Sequence, residues 1–139
     1  MTDDLTNDER RNRRAAVVID HMQGENVQDW DRVMRTFSRP RYELPTGQTH
    51  EGRDDVMRYW IEGRTVVPDQ RNELIELTHL SDSGVQIEFW LRGTPTTTNR
   101  PFEVRLWAVF DFDESDLMTN ERVFTATPTA EQIAGTAAS

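Results

Sequence analysis

The chain reads as one α+β domain in which three N-terminal helices pack on a strongly curved antiparallel sheet, and three observations predict this. The apolar period changes from helical to alternating near Arg71. The turn-forming tetrads Ser81-Asp82-Ser83-Gly84 and Asp113-Glu114-Ser115-Asp116 then separate long alternating runs, as a meander of neighbouring antiparallel strands requires. Finally, 139 residues make about one average domain, so residues 1–139 are expected to form a single unit with an ordered core over about 6–135.

The first helix is predicted from about Thr6 to Met22, with Ala15, Val18, Ile19 and Met22 at helical spacing. Thr6-Asn7-Asp8-Glu9 has the form of a capping box, and Gly24 is the expected stop. A second helix is expected from Asn26, with Val27, Trp30, Val33, Met34 and Phe37 on one stripe. Pro40 cannot continue it, so Arg41 to Leu44 reads as a short strand before a turn at Pro45-Thr46-Gly47. A third helix should begin between Gly52 and Asp55, where two aspartates favour the positive end of the helix dipole, and stop near Gly63. Val56, Met57, Tyr59, Trp60 and Ile61 cover most of its circumference, which predicts burial on more than one side. Strands are predicted over 72–80, 85–93, 101–113 and 117–125, and a short terminal helix over 129–134.

Composition narrows the chemistry. The chain has no cysteine, which removes disulfides, thiolate metal sites and cysteine nucleophiles. All sixteen basic residues are arginine, so no lysine can form a Schiff base. A net charge of −9 repels a phosphate backbone, and the one basic run, Arg10, Arg11, Arg13 and Arg14, sits beside Asp3, Asp4, Asp8 and Glu9; no nucleic-acid partner is expected. The N-terminus lacks the basic-then-apolar order of a signal peptide, and no apolar run approaches a membrane span. The expectation is a soluble, cytoplasmic protein with no membrane partner.

Alternation also divides the sheet into two faces. Val85, Ile87, Phe89 and Leu91 oppose Gln86, Glu88, Trp90 and Arg92. In the next strand Leu106, Ala108, Phe110 and Phe112 oppose Arg105, Trp107, Val109 and Asp111. The apolar face must meet the helices. The other mixes tryptophan with charge in the manner of a protein interface, so Trp90 and Trp107 predict a homodimer through the outer sheet face, unless they merely shield charged neighbours.

Several motifs extend the reading: Arg39-Pro40-Arg41-Tyr42-Glu43-Leu44 with Thr46-Gly47, then Pro68-Asp69-Gln70-Arg71-Asn72-Glu73-Leu74, Ile87-Glu88-Phe89 leading to Gly93-Thr94, and Glu121-Arg122-Val123-Phe124. In this order they resemble the SnoaL-like polyketide cyclase branch of the nuclear-transport-factor-2-like superfamily, over about residues 14–135. The resemblance implies a cone-shaped fold enclosing an apolar pocket for a small molecule, in a family whose members cyclise, isomerise, hydrate, hydrolyse or only bind. A polyketide-like or terpenoid-like ligand, with cyclase or isomerase chemistry, is what it implies here. Two departures matter. The family's pocket histidine after Gly-Thr is replaced by Pro95, and its acid/base aspartate by Ala126, which cannot exchange a proton. A non-catalytic binding or assembly module is therefore the alternative.

Among the remaining residues, His50 is the candidate general base, and the phenols of Tyr42 and Tyr59 are candidate donors to a ligand oxygen. Glu51, adjacent on an extended segment, points away from His50. Trp60, Phe89, Leu91, Leu106, Phe110 and Phe124 are the expected lining. Arg122, if it shares the side of Phe124, is a cation facing the ligand. His21 and His79 read as core or boundary histidines satisfied by hydrogen bonds, and no two histidines share ligand spacing on one element, so neither metal nor cofactor is expected.

Overall fold

The computed structural model describes residues 6–81 and 84–125. Ala126 and the expected terminal helix lie outside them. Thr6 caps α1 (Asn7–Asn26), its hydroxyl accepting from the Glu9 amide at 3.1 Å. The helix passes straight through Gly24 instead of ending there, because that glycine is a packing position. A Cβ on it would lie 2.9 Å from Val33 Cγ2, so its absence lets the next helix approach.

That next helix, α2, is only Trp30–Met34, capped by Asp29 and not by Asn26. Val27 is exposed, so the predicted apolar stripe is shorter than expected. β1 (Arg41–Glu43) turns back through Gly47 into β2 (Thr49–Glu51), a strand that three residues of alternation were too short to announce. α3 (Arg53–Val66) starts where the aspartates predict and runs past Gly63. Its buried residues Val56, Trp60 and Arg64 are spaced four apart, while Ile61 is exposed; the helix is therefore buried along one stripe only.

The long strands follow as β3 (Arg71–His79), β4 (Val85–Gly93), β5 (Phe102–Phe112) and β6 (Met118–Thr125). The six-stranded sheet has the order β2-β1-β6-β5-β4-β3, antiparallel throughout except where β1 lies parallel to β6. Its apolar face, including Val85, Ile87, Phe89, Ala108 and Phe110, turns toward the helices. Backbone pairing stitches the segment after α2 to β6: Met118 donates to the Thr36 carbonyl at 2.9 Å, and its own carbonyl accepts from Ser38. This places Thr36 beside α1. No helix among the described residues is long and apolar enough to cross a membrane.

A bulge between β5 and β6 sets the face of everything after it. Asp111 pairs with Asn120, yet Phe112 pairs with Met118, so β6 carries an extra residue at Thr119. Met118, Glu121 and Val123 consequently face the core, and Arg122 and Phe124 face outward.

Candidate functional site: a buried charge cluster closing an apolar cavity

Between the concave sheet face, α1 and α3 lies a cavity of about 300 Å³, the small end of the roughly 300–1,000 Å³ span of ligand sites. Its closed end is formed by the buried side chains of His21, Glu25, Tyr42, Phe110 and Glu121. Ile87, Phe89, Leu106 and Val123 make an apolar wall, and Gln70, Asn72, Leu91 and Thr125 stand at the more exposed end.

Five elements converge on the closed end. α1 presents His21 and Glu25 from one face, four residues apart. The Thr36 hydroxyl donates to the Val33 carbonyl at 2.5 Å, so toward His21 Nδ1, 3.0 Å away, it acts as acceptor. Nδ1 thus carries a hydrogen. Nε2 lies 2.8 Å from Glu25 Oε1 and 3.0 Å from Glu121 Oε1, close enough for charge pairing but aligned for a hydrogen bond with neither, and a lone pair there would face two carboxylates. Both ring nitrogens are therefore donors, the imidazolium arrangement. The ring is fully buried, edge-on to Phe37, Trp60 and Phe110. A charge there is tolerable only because it is paired.

The resulting proton affinities differ sharply. Burial alone would lower the His21 pKa, but Glu25 and Glu121 outweigh it and raise the ring to about 10. Burial pushes Glu25 up, yet His21 and the Arg64 guanidinium, 3.6 Å away, hold it below the usual carboxylate range. Burial pushes Glu121 up, Glu25 adds to this, and His21 offsets only part, so Glu121 ends above the usual range. Tyr42 is raised well above an ordinary phenol, by burial first and then by the charges of Glu121 and Glu25. Tyr59 is pushed up to about 12, by burial first. Two neighbouring carboxyls with opposite shifts can divide roles, Glu25 as a counterion and Glu121 as a carboxyl able to exchange a proton.

His21 Nε2, Glu25 and Glu121 also place three ligand atoms within 4.8 Å of one another. Arg64 already supplies positive charge at this point, and a metal ion would have to displace the Nε2 proton.

The expected site residues divide into two groups. The structure brings Tyr42, Tyr59, Phe89, Leu91, Leu106 and Phe110 to the cavity. Trp60 does not line it: its ring is buried behind, stacked on Trp30 at 5.8 Å. Arg122 and Phe124 are corrected to the outer face by the β6 bulge, where Arg122 pairs with Asp111 at 3.1 Å and Phe124 is 44% exposed. His50 is outside the lining too. It stacks on the outer side of Tyr59 at 4.5 Å, and its Nδ1 meets Asp55, not Glu51, at 3.2 Å. Since Tyr59 also packs against Tyr42, with ring centroids 5.4 Å apart, the Asp55–His50 pair fixes the Tyr59 ring. The residues missed, Glu25 and Glu121, carried one local signal: His21 and Glu25 share a helical turn. Glu121 carried none, being 100 positions from His21 in the chain.

A family profile described as a SnoaL-like domain matches residues 18–121. Among solved structures, the chain is similar to SalBIII, an epoxide hydrolase/cyclase-like enzyme with a role in pyran ring formation in the polyether salinomycin (18% identity, TM-score 0.74, 82% of this chain and 91% of that one). It is also similar to TerC co-crystallised with polyporic acid (12% identity, TM-score 0.72, 81% and 91% covered). A third is a protein of ketosteroid isomerase-like fold from Catenulispora acidiphila DSM 44928, in complex with trimethylamine (14% identity, TM-score 0.70, 84% and 90% covered). At these identities the likeness establishes the fold alone. No curated protein matches the sequence at a significant level.

Proposed function

Because the chain belongs to the SnoaL-like domain family, we propose that it is a proton-transfer enzyme, a cyclase or isomerase acting on an apolar, oxygen-bearing small molecule of polyketide or terpenoid type. One observation carries this: a carboxyl of raised proton affinity, Glu121, stands in the closed end of an apolar cavity beside two phenols. Glu121 takes a proton from carbon next to a carbonyl and returns it to another atom of the same substrate. Tyr42 and Tyr59, packed ring against ring on the cavity wall, are the donors available to the developing enolate oxygen. The His21–Glu25–Arg64 group holds a fixed field behind the reacting carboxyl.

Proton abstraction is measurable without the natural substrate, as deuterium exchange into 2-tetralone in D₂O followed by NMR. Wild type should catalyse exchange, and Glu121→Gln should reduce it by about 100-fold or more. Exchange no faster than buffer, with the ketone demonstrably bound, would leave the binding-only reading that Pro95 and Ala126 favour.

The outer sheet face supports a homodimer. Trp90 and Trp107 carry Arg92 and Arg105 over their rings, and the β6 bulge adds Phe124 directly opposite Trp107. Sedimentation should give a dimer for wild type and a monomer for Trp107→Glu, since a carboxylate would be buried there without a partner. A monomeric wild type refutes it.

A further inference from the structure

The segment from Val67 to Asn72 is held far more firmly than a strand entrance needs. Asn26, the last residue of α1, grips Asn72 at two points: its amide nitrogen donates to the Asn72 carbonyl at 2.9 Å, and its oxygen accepts from the Asn72 amide at 2.7 Å. Gln28 donates to the Pro68 carbonyl at 2.9 Å. Asp69 accepts from the Thr94 amide at 2.7 Å, and the Gln70 amide closes a turn onto Val67 at 3.2 Å. Underneath, Gly93 lets the segment lie on β4: a Cβ there would be 2.4 Å from Val67 Cγ1 and 3.4 Å from Gln70 Cα. Such backbone fixation positions the two carboxamides that this segment sends to the cavity, Gln70 and Asn72. Asn72 pairs with Leu91 across β3 and β4, so the two side chains share the concave face.

These amides stand at the opposite end from the charge cluster. Glu121 and Tyr42 lie in the register row of Phe110, at the buried end. Asn72 lies in the row of Leu91 and Val104, three same-face steps along the strands. Between the ends the wall offers only apolar side chains, Ile87, Phe89, Leu106 and Val123. No hydrogen bond to either carboxamide side chain from another described residue claims its donors or acceptor.

We propose that Gln70 and Asn72 form a second polar anchor, and that the site takes an elongated, ring-sized apolar molecule bearing an oxygen function at each end. One oxygen enters the Glu121–Tyr59 end, and the other is hydrogen-bonded at the rim. This deepens the proposed proton-transfer reading and rests on it for the orientation of the substrate. The rim selects length and end-group, the closed end performs the chemistry, and a molecule with both oxygens at one end leaves the rim amides without a partner.

Isomeric probes test the geometry. 6-Hydroxy-2-tetralone places its hydroxyl at the end remote from the carbonyl, whereas 8-hydroxy-2-tetralone places it on the flank, peri to the methylene next to the carbonyl and away from the remote end. By isothermal titration, wild type should bind the 6-hydroxy isomer about 10-fold more tightly than 2-tetralone, as one added hydrogen bond allows. The 8-hydroxy isomer should show no gain. In Gln70→Leu/Asn72→Leu the ratio of 6-hydroxy-2-tetralone to 2-tetralone affinity should fall below about two-fold, whichever way 2-tetralone binding itself moves. Equal affinity for the two isomers in wild type overturns the anchor without any variant, and so does an advantage that survives in the double variant. Deuterium exchange into 2-tetralone, run alongside, reports separately on the proton-transfer reading: its absence with an intact isomer preference sinks the chemistry and leaves the anchor.

Discussion

Raising the pH should destabilise this protein, chiefly through one identifiable proton. His21 is raised from 6.5 to about 10 in the folded chain, so between those values the native state holds a proton that the unfolded chain has lost. Stability from this group is complete below the unfolded value and disappears as pH rises through the folded one. One proton corresponds to about 1.4 kcal/mol per pH unit, which makes a loss of about 3 kcal/mol between pH 7 and pH 9. The groups facing His21 leave that window clear or act in the same sense. Glu25, held low, does not change charge within it, and Tyr42 and Tyr59 are pushed upward. Glu121, held high, loses stability in the same direction from the ordinary carboxylate range upward. The sequence helps, since it contains neither lysine nor cysteine to titrate there. Urea unfolding followed by tryptophan fluorescence suits the test, because Trp60 lies edge-on to His21 and stacks on Trp30. His21→Gln should be less stable at pH 7 and should lose most of the slope. A wild type equally stable at pH 7 and 9, or an undiminished slope in the variant, would refute the buried imidazolium.

Two further outcomes follow from packing and charge. Asp116, 2% exposed, accepts Arg14 at 2.9 Å and Arg10 at 3.3 Å, tying the start of α1 to the β5–β6 turn. Asp116→Asn retains the size and the tolerance of its φ of 61° but removes the charge. It should cost about 2 kcal/mol in urea unfolding, below the value for a fully buried pair because the arginines can rehydrate; a change under about 0.5 kcal/mol would show the clamp to be inert. Gly93→Ala must displace the stiff Val67 side chain, and should cost about 1–3 kcal/mol while weakening the isomer preference at the rim, read by the same titrations.

Local chemistry fixed much of this architecture. The Thr6 cap began α1, the paired aspartates began α3, and alternation with turn tetrads laid out β3 to β6 and turned the apolar side of β4 and β5 inward, because period and turn propensity depend on near neighbours. The absence of lysine and cysteine narrowed the chemistry before any coordinate was known. Tertiary structure decided the rest. Gly24 looked like a helix stop and proved to be a packing contact, because only the arrival of Val33 distinguishes the two. A single extra residue in β6 exchanged Arg122 and Phe124 for Glu121 and Val123 at the cavity, a reversal that strict alternation cannot foresee since a bulge is defined by the partner strand. His21, read as a satisfied core histidine, is satisfied by two carboxylates, one of them from the far end of the chain. A residue's proton affinity belongs to the charges folded around it, and those are brought together only by the fold.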